Sequence, residues 1–427
     1  MTPPGSESTP DPDSAPSPES APLDPEVQRE LQSLMRGVVD CVREEDLGRR
    51  LQKARSEGRP LRVKLGMDPT APDLHFGHAV VLRKLRQFQD QGHQAVLIIG
   101  GATAMLGDPS GKDKTRPQLT REDVAAHAQT YLDQAHKILD PERLEIINNA
   151  DWFLGFDFAA LLELASRMTV ARMIERDLFQ RRLAQGAPIG IHEFLYPLLQ
   201  GWDSVEVRAD VELGGSDQLF NLLVGRDLQA QKGQAPQVCM TTPLLIGLDG
   251  KNKMGKSLDN YIGLTFTPED VFGKVMSLPD EQIRPYSVLL SDRTDEEIDA
   301  RLAGHPREAK ASLAADLTAM LHGTDAAESA RGHFVRLFRE KEIPEDIPVV
   351  VVEKDACKDG KIWIVDLVRL LGFESSNGRA RRLIEQRGIR IDGQVIVDVE
   401  LQVDLGSERL VQAGKRRFAR VVGSDPG

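Results

Sequence analysis

The chain has 427 residues, 40% of them hydrophobic and 28% charged, so it is long enough for two or three globular domains. A net charge of −12 argues against nonspecific adhesion to nucleic acid over the whole surface and restricts any such contact to a local basic patch. Three scattered cysteines, the lack of a secretory leader pattern and the lack of an apolar run near ~18 residues argue against disulfides, secretion and a membrane span. We therefore expect a cytoplasmic protein.

The first residues combine Pro, Ser, Asp and Glu with almost nothing to bury, which predicts a disordered acidic tail over residues 1–25. From about Pro25 to Ala54, apolar residues recur at the spacing of one buried helix face, so this stretch is predicted to be helical.

A strand, a helix and a second strand follow. Arg62–Met67 has the alternation and β-branching of a strand, and apolar residues from Val81 to Phe88 recur at helical spacing. The continuous apolar run Ala95–Ile99 is typical of a buried parallel strand. Such a βαβ unit predicts an open parallel sheet, in which ligands bind beyond the carboxyl ends of the strands.

The turn between the first strand and the helix reads Asp68-Pro-Thr-Ala-Pro-Asp-Leu-His75-Phe-Gly-His78. His75 and His78 share one face of the first helical turn, and Gly77 lets another group approach the backbone. Because a helix N-terminus favours a phosphate, the two histidines could donate hydrogen bonds to one. Taken alone, the pair is also consistent with a simple helix cap.

The loop after the second strand, residues 100–112, would lie at the same edge of the sheet. It is not a P-loop, because Leu106 stands where that motif requires glycine and Asp113 where it requires Ser or Thr. His192-Glu193 is not a zinc motif either, because Tyr196 stands where the second histidine belongs. A mostly helical stretch over about 120–190 interrupts the sheet.

Three polar residues fall on one face of a predicted helix over 192–203. Tyr196, Gln200 and Asp203 are spaced i, i+4 and i+7, which fits either a binding face or an ordinary amphipathic surface helix.

Val205–Val211 and Thr242–Gly247 predict two further strands, and each leads into a glycine-containing turn. The first turn, Glu212–Gln218, places an acid and an amide where they could bind hydroxyl groups. The second, Asp249–Ser257, is a glycine-flanked loop with paired lysines.

Residues 265–342 are predicted to be helical, and residues 343–360 form a polar connector to a last compact unit. In that unit Ser376 is a plausible N-cap for a helix over 377–387, and Asp392-Gly393 is a hairpin turn. Ten basic and six acidic residues between 376 and 420 give a local charge of +4. This reversal of sign favours an RNA-contacting surface over a merely solvated face.

Two of these motifs together resemble the signatures of class I aminoacyl-tRNA synthetases. His75-Phe-Gly-His78 is similar to their HIGH signature, and Lys253-Met-Gly-Lys256-Ser257 is similar to their KMSKS signature, with Gly255 in place of the first serine. The segments around Asp68, Gly107–Gly111 and Gly214–Gln218 resemble the tyrosyl branch, and the C-terminal unit resembles an RNA-binding fold of a ribosomal small-subunit protein.

The resemblance implies an α/β fold: a Rossmann-like parallel-sheet catalytic domain with a helical insertion, then an α-helical domain and a small α+β RNA-binding domain. The implied bounds are a catalytic domain over 26–264, an anticodon-binding helical domain over 265–342, a linker over 343–360 and a basic RNA-binding domain over 361–422.

The implied reaction joins tyrosine and ATP into tyrosyl-adenylate with release of pyrophosphate, and then transfers tyrosine to the terminal ribose of tRNA(Tyr). ATP would bring Mg²⁺ with it, and no metal site of the protein itself is predicted. A homodimer is implied through the inserted helices near 125–185.

Residue roles follow from the same resemblance. The catalytic set would be His75, His78, Lys253 and Lys256. ATP would contact Asp68, His75, Gly77, His78, Gly215, Asp217, Lys253, Met254, Lys256 and Ser257. Tyrosine would contact Asp108, Asn149, Tyr196, Gln200, Asp203 and Gln218. Of these, Tyr196, Gln200 and Asp108 would hold its α-ammonium group, and Asp203 would accept its phenol O–H. RNA would contact Arg379, Arg381, Arg382 and Arg387.

One position departs from the resemblance. Lys64 stands where many of these enzymes have a tyrosine that meets the substrate phenol. Either Asp203 recognises the phenol with a different second partner, or Lys64 faces outward and Leu65 lines the pocket. The alternatives to the tyrosyl reading are a tryptophanyl-tRNA synthetase or another nucleotidyltransferase with a His-x-Gly-His turn, and an inactive RNA-binding paralogue.

Overall fold

The structure, a computed structural model, describes residues 22–108, 120–337, 347–357, 360–414 and 417–424. Most of the predicted acidic tail, the part of the second loop from residue 109 onward and parts of the predicted connector lie outside the described residues. Two of the basic C-terminal residues, Lys415 and Arg416, also lie outside them. The chain divides into two compact units, residues 1–333 and residues 334–427.

The first unit is built on a six-stranded sheet. Its strands are β1 (Asp40–Val42), β2 (Arg62–Met67), β3 (Gln94–Ile99), β4 (Leu144–Asn148), β5 (Val211–Gly215) and β6 (Val238–Thr242). Their order is β1-β6-β5-β2-β3-β4, and all neighbours are parallel except β1 and β6. The predicted Rossmann-like parallel sheet is therefore confirmed.

The order of the strands locates the ligand edge. From β2 the chain proceeds through β3 to β4, and it then returns with β5 to the other side of β2. The connections thus change direction between β2 and β5, and open α/β sheets bind their ligands in the crevice beyond the carboxyl ends at such a point. Residues 68 and 216, which follow these two strands, border that crevice.

Helices cover both faces of the sheet and fill the insertion. They are α1 (Pro25–Met35), α2 (Glu44–Glu57), α3 (Phe76–Asp90), α4 (Thr103–Leu106), α5 (Arg121–Ala135), α6 (Ala150–Phe153), α7 (Phe158–Ser166), α8 (Val170–Ile174), α9 (Asp177–Ala184), α10 (Ile191–Glu206) and α11 (Leu219–Gln231). The predicted helix over 192–203 is confirmed as α10. The apolar face of its amphipathic pattern packs on α11, where Leu199 and Leu228 belong to one buried cluster.

Two strand predictions are wrong. Val205 lies in α10 and the strand begins only at Val211, because packing of Val205 in a buried cluster with α11 outweighs the strand preference of β-branched residues. The last parallel strand is Val238–Thr242, so it ends where the second predicted strand was expected to begin.

Five further helices complete the first unit's predicted helical region. They are α12 (Pro268–Met276), α13 (Ile283–Leu290), α14 (Asp295–Leu302), α15 (Pro306–His322) and α16 (Thr324–Val335). Prolines open α12 and α15, as expected of a residue that lacks a backbone N–H. None of the helices in the described part of the chain is long and apolar enough to cross a membrane.

The second unit is a small α+β fold. Its elements are β7 (Val349–Val352), β8 (Lys361–Trp363), α17 (Ile364–Leu370), α18 (Asn377–Glu385), β9 (Ile389–Ile391), β10 (Gln394–Ile396), β11 (Gln402–Asp404), β12 (Arg409–Ala413) and β13 (Arg417–Gly423). Ser376 caps α18 as predicted. Asp392 and Gly393, both with positive φ, form the predicted two-residue hairpin turn.

Candidate active site

The His-x-Gly-His helix start and the chain after the lysine loop are joined at the crevice. The backbone N–H of Phe76 donates to the carbonyl of Ile262 at 2.9 Å, and the N–H of Leu264 donates to the carbonyl of Leu74 at 2.9 Å. These two bonds form a short bridge between segments that lie almost two hundred residues apart. The two signature motifs therefore face one space.

The two histidines cap α3 through one ring nitrogen each. The Nδ1 atom of His75 accepts from the N–H of Gly77 at 3.1 Å, and the Nδ1 atom of His78 accepts from the N–H of His75 at 3.2 Å. An Nδ1 atom that accepts carries no proton, so the neutral ring holds its proton on Nε2. The cap and the phosphate donor are therefore compatible functions of the same side chains.

His75 is held in the neutral form. Burial, together with the nearby charges of His78 and Lys256, lowers its pKa to about 2. The ring therefore offers a neutral Nε2–H donor at ordinary pH and does not act as a proton shuttle.

The lysine loop lies against this helix start. A Cβ atom added at Gly77 would lie 2.9 Å from Cε1 of the His75 ring, which explains the need for a residue without a side chain there, and 3.9 Å from the Cβ of Met254 in the lysine loop. Lys253 pairs with Asp217 at 3.3 Å between Nζ and Oδ2. Burial lowers the pKa of Lys256, and the charge of Asp73 opposes that shift.

A single buried amide organises the same loop. Asn260 accepts from the N–H of Gly255 at 2.9 Å and donates to the carbonyl of Lys253 at 3.2 Å. It thus holds both flanks of Met254, and sequence reasoning missed it. Ser257 follows in an exposed short turn, Lys256–Leu258.

The carboxylate of Asp68, at the end of β2, is fixed by two hydroxyl donors. Tyr196 Oη donates to Oδ2 at 2.8 Å, and Thr103 Oγ1 donates to Oδ1 at 2.7 Å. Gly100 makes room for it, since a Cβ atom there would lie 1.9 Å from Asp68 Oδ1. Asp68 thus connects the predicted ATP residues with the predicted tyrosine residues.

Asp203 ends a chain of hydrogen bonds that starts at Asp68. Asn149 Nδ2 contacts Thr103 Oγ1 at 3.0 Å and Asp203 Oδ2 at 3.2 Å. Trp152 Nε1 donates to Asp203 Oδ1 at 3.1 Å. Burial raises the pKa of Asp203 to about 7, although Lys64 and the two hydrogen bonds oppose the shift. Trp152 is a second partner of Asp203 that the sequence reasoning did not identify.

Gly215, Gln218 and Asp108 form a separate group at the end of β5. The N–H of Gly215 donates to Gln218 Oε1 at 3.3 Å, and Gln218 Nε2 contacts Asp108 Oδ2 at 3.4 Å. Asp108 was grouped with Tyr196 in the sequence analysis, but the hydroxyl of Tyr196 contacts Asp68 instead. The predicted tyrosine residues are therefore divided among three carboxylates, because Tyr196 contacts Asp68, Asn149 contacts Asp203 and Gln218 contacts Asp108.

Lys64 is fully buried, so the alternative in which it faces outward is wrong. Its ammonium lies 2.8 Å from Glu212 Oε1, a carboxylate that is also fully buried. Glu212 was assigned to a turn from the sequence, but it lies within β5 directly beside Lys64. Its alternation with Val211 and Leu213 was the signal for a strand.

The predicted RNA-contacting arginines lie in or just after α18 of the second unit. Arg379, Arg382 and Arg387 are exposed. Arg381 lies over the ring of Trp363 at 5.0 Å and contacts Glu400 at 3.1 Å. The first three are therefore better placed than Arg381 to meet an anionic partner.

The parallel sheet and the paired signature motifs define the architecture of a class I nucleotide-activating enzyme. Comparison with protein families supports this class. A family model described as tRNA synthetases class I (W and Y) matches residues 56–339, and a model described as S4 domain matches residues 362–408.

Curated relatives identify the family more narrowly than the family models do. The chain is 48% identical over 405 residues to the tyrosine–tRNA ligase of Moorella thermoacetica, covering 93% of this chain and 97% of that one. It is 49% identical over 404 residues to the tyrosine–tRNA ligase of Thermotoga maritima, covering 93% and 98%.

Among solved structures, a C-terminally truncated mitochondrial tyrosyl-tRNA synthetase of Aspergillus nidulans has the same fold. The TM-score is 0.61 at 23% identity, covering 73% of this chain and 94% of that one. The chain therefore belongs to the tyrosine–tRNA ligase family of class I tRNA synthetases.

Proposed function

We propose that the crevice between β2 and β5 is the site where this chain carries out its family's reaction, the ATP-dependent activation of tyrosine and its transfer to tRNA. The tryptophanyl, other nucleotidyltransferase and inactive-paralogue alternatives are not favoured, because the curated relatives are tyrosine–tRNA ligases along nearly their whole length.

The observation that carries the site assignment is the buried carboxylate of Asp203. It lies at the inner end of a hydrogen-bonded chain that begins at Asp68, beside the crevice. A phenol O–H is a donor that an ionised carboxylate accepts in addition to Asn149 and Trp152, whereas phenylalanine would bring no donor to this buried carboxylate. The indole of tryptophan has no hydroxyl for the same position.

A pyrophosphate-exchange assay tests this assignment. The purified chain is supplied with ATP, labelled pyrophosphate and one amino acid at a time: tyrosine, phenylalanine or tryptophan. Exchange with tyrosine alone is expected, and equal exchange with phenylalanine would contradict the assignment of Asp203.

In the first step a carboxylate oxygen of tyrosine attacks the α-phosphorus of ATP, and the bond to the bridging oxygen breaks to release pyrophosphate. The nucleophile belongs to the substrate, so the protein needs to supply only positions and charge stabilisation. The Nε2–H groups of His75 and His78 would donate to the phosphates, and Lys253 and Lys256 would neutralise the leaving pyrophosphate.

In the second step a hydroxyl of the terminal tRNA ribose attacks the tyrosyl carbonyl, and AMP leaves. The ribose of the adenylate would contact Asp217 and Gly215. Lys253 contacts the same Asp217 carboxylate at 3.3 Å, so the ribose site and the lysine loop would meet at this residue.

Mg²⁺ would arrive with ATP. Within the described residues no group of three or more His, Cys, Asp or Glu side chains could hold a metal ion. Mg²⁺ is commonly bound through substrate phosphates with few protein ligands, and we propose that the nucleotide carries the ion in this way.

The exposed arginines of the second unit are proposed to contact tRNA. The triple variant Arg379→Ala/Arg382→Ala/Arg387→Ala should raise the KM for tRNA in aminoacylation about tenfold or more. Its KM values for tyrosine and ATP in pyrophosphate exchange should stay unchanged. Arg420→Ala, which removes an arginine already paired with Glu408 at 2.6 Å, is the matched control. Unchanged aminoacylation by the triple variant would exclude this surface.

A homodimer and a cytoplasmic location complete the proposal. Large apolar side chains in the inserted helices are exposed, among them Phe158 at 77% and Val170 at 61%. Exposed apolar patches commonly mark protein interfaces. Sedimentation of the wild type as a dimer and of Phe158→Glu as a monomer would support this surface, and a wild-type monomer would contradict it.

A further inference from the structure

The buried pair formed by Lys64 and Glu212 lies outside the roles assigned so far. The two residues are directly opposite each other on the parallel strands β2 and β5, and both side chains are fully buried. Burying two charges costs free energy, and an apolar pair would serve the core at least as well. The pair therefore invites a functional explanation.

The ammonium of Lys64 has no hydrogen left for a ligand. Its three N–H groups are directed at the carbonyl of Gln200 at 2.7 Å, at Ser204 Oγ at 2.8 Å and at Glu212 Oε1 at 2.8 Å. A lysine ammonium has three donors and no acceptor. Lys64 consequently acts on the substrate only through the groups that it holds.

Glu212 in turn holds the side chain of Gln200. Its Oε1 atom accepts from Gln200 Nε2 at 3.2 Å, while Oε2 accepts from Ser204 Oγ at 3.1 Å and from Gln237 Nε2. Because an ionised carboxylate only accepts hydrogen bonds, the NH₂ end of the Gln200 amide must face Glu212.

The other end of the amide is thereby directed away from the pair. Gln200 Oε1 accepts from Asn221 Nδ2 at 2.9 Å, which agrees with the same orientation. Of the two hydrogen bonds that a carbonyl oxygen can accept, Asn221 supplies one among the described residues. The second would be the bond to the α-ammonium group of tyrosine that the resemblance assigns to Gln200.

We propose that Lys64 and Glu212 are positioning residues that fix the Gln200 amide with its oxygen toward the α-ammonium group of tyrosine. This inference rests on the proposed tyrosine site. The role of Lys64 is to hold Glu212 in place through its contact with Oε1, the same oxygen that accepts from Gln200 Nε2. Without this pair the NH₂ group of Gln200 would lose its acceptor, so the amide would no longer have one fixed orientation.

The test replaces the whole pair, because one charge left alone in the core would destabilise the fold. In Lys64→Met/Glu212→Leu the amide loses its partner, and the KM for tyrosine in pyrophosphate exchange should rise roughly 10–100-fold. The KM for ATP should stay within about twofold, because Asp217 and the histidines are untouched. Thermal unfolding of each variant reports whether it is folded.

Two tyrosine analogues separate positioning from general damage to the pocket. Tyramine keeps the ammonium group, and its inhibition constant should rise in parallel with the KM for tyrosine. 3-(4-Hydroxyphenyl)propionate lacks the ammonium group, and its inhibition constant should stay unchanged. An equal loss for both analogues would show a structural effect only and overturn the proposal.

Lys64→Met/Glu212→Gln is the second variant and keeps the shape of the site. Its new amide can present either end to Gln200, so a smaller rise in the KM for tyrosine is expected, with the same difference between the analogues. A folded variant of either kind with wild-type tyrosine dependence would refute the positioning role. Absence of tyrosine-dependent exchange in the wild type would instead refute the proposed function.

Discussion

The two ends of the candidate site are built on different principles. At the tyrosine end Asp203 is 3% exposed, and its carboxylate is held by two donors from α6 and its N-terminal flank. At the nucleotide end the side chain of Lys253 is 42% exposed and forms one ion pair. The comparison teaches that a preformed buried network provides specificity for the amino acid. Exposed cations provide neutralisation of the phosphate charges, and their side chains can move with the substrate.

The largest effect is expected from the buried end. Asp203→Ala should lower kcat/KM for tyrosine roughly 10²–10³-fold, because it removes the phenol acceptor and leaves the Asn149 and Trp152 donors without it. The KM for ATP in pyrophosphate exchange should change less than about twofold. Asp151→Ala, an exposed acid next to Trp152, is the control. Wild-type tyrosine dependence in Asp203→Ala would reject the assignment.

A smaller loss is expected at the boundary between the two ends. His75→Ala should lower the rate of adenylate formation about 10²-fold, since it removes one donor to the phosphates. His75→Gln places an amide near the position of Nε2 and should recover much of that rate. His75→Asn places an acceptor near the position of the capping Nδ1 atom only. It should therefore recover the stability lost in His75→Ala but not the rate of adenylate formation. Equal rates for the Gln and Ala variants would argue against Nε2 donation.

The ratio of the exchange rate with tyrosine to that with phenylalanine should change roughly three- to tenfold with pH, because it depends on the buried end of the site. The pKa of Asp203 is raised to about 7, so the carboxyl is neutral below that pH and ionised above it. Leaving an ionised carboxylate unpaired costs more than leaving a neutral carboxyl unpaired, so discrimination against phenylalanine should increase as pH rises through 7. Exchange rates for both amino acids between pH 6 and 8 measure it.

In Asp203→Asn the ratio of exchange with tyrosine to exchange with phenylalanine should not vary with pH, because the amide does not titrate. The groups that face Asp203 from its surroundings are Lys64, Glu212, Asn149 and Trp152. A rise in discrimination that persists in the asparagine variant would place the titrating group elsewhere.

Salt concentration should produce the smallest difference between the KM for ATP and the KM for tyrosine. Raising KCl from about 0.05 to 0.5 M at fixed Mg²⁺ should raise the KM for ATP about threefold, because exposed lysine–phosphate contacts are screened. The KM for tyrosine should stay nearly constant, since the Lys64–Glu212 pair is fully buried. Equal sensitivity of both constants would remove the distinction between the two ends.

The nucleotide end was largely predictable because its motifs are local. His75, Gly77 and His78 lie within one helical turn, and their capping geometry follows from four consecutive residues. The cap and the phosphate donor had been treated as alternatives, and the tautomer imposed by the cap allows both.

The tyrosine end was predictable only in part because its contacts join distant segments. Helical spacing placed Asp203 on one face with Tyr196 and Gln200, and the resemblance supplied its role, but its contact with Trp152 spans 51 residues. The Lys64–Glu212 contact spans 148 residues, and no periodicity in either strand indicates a buried charge pair. The sequence therefore left open whether Lys64 faces outward, and only the structure shows that it is buried against Glu212.

The shape of the space around Asp68 has a consequence for how this chain can vary. Asp68 is held by Tyr196 and Thr103, so it cannot yield to a Cβ atom placed 1.9 Å away at Gly100. Every missense change of a glycine codon adds at least a methyl group. In evolutionary terms, Gly100 is a position at which even the smallest substitution, to alanine, damages both the tyrosine end and the nucleotide end of the site.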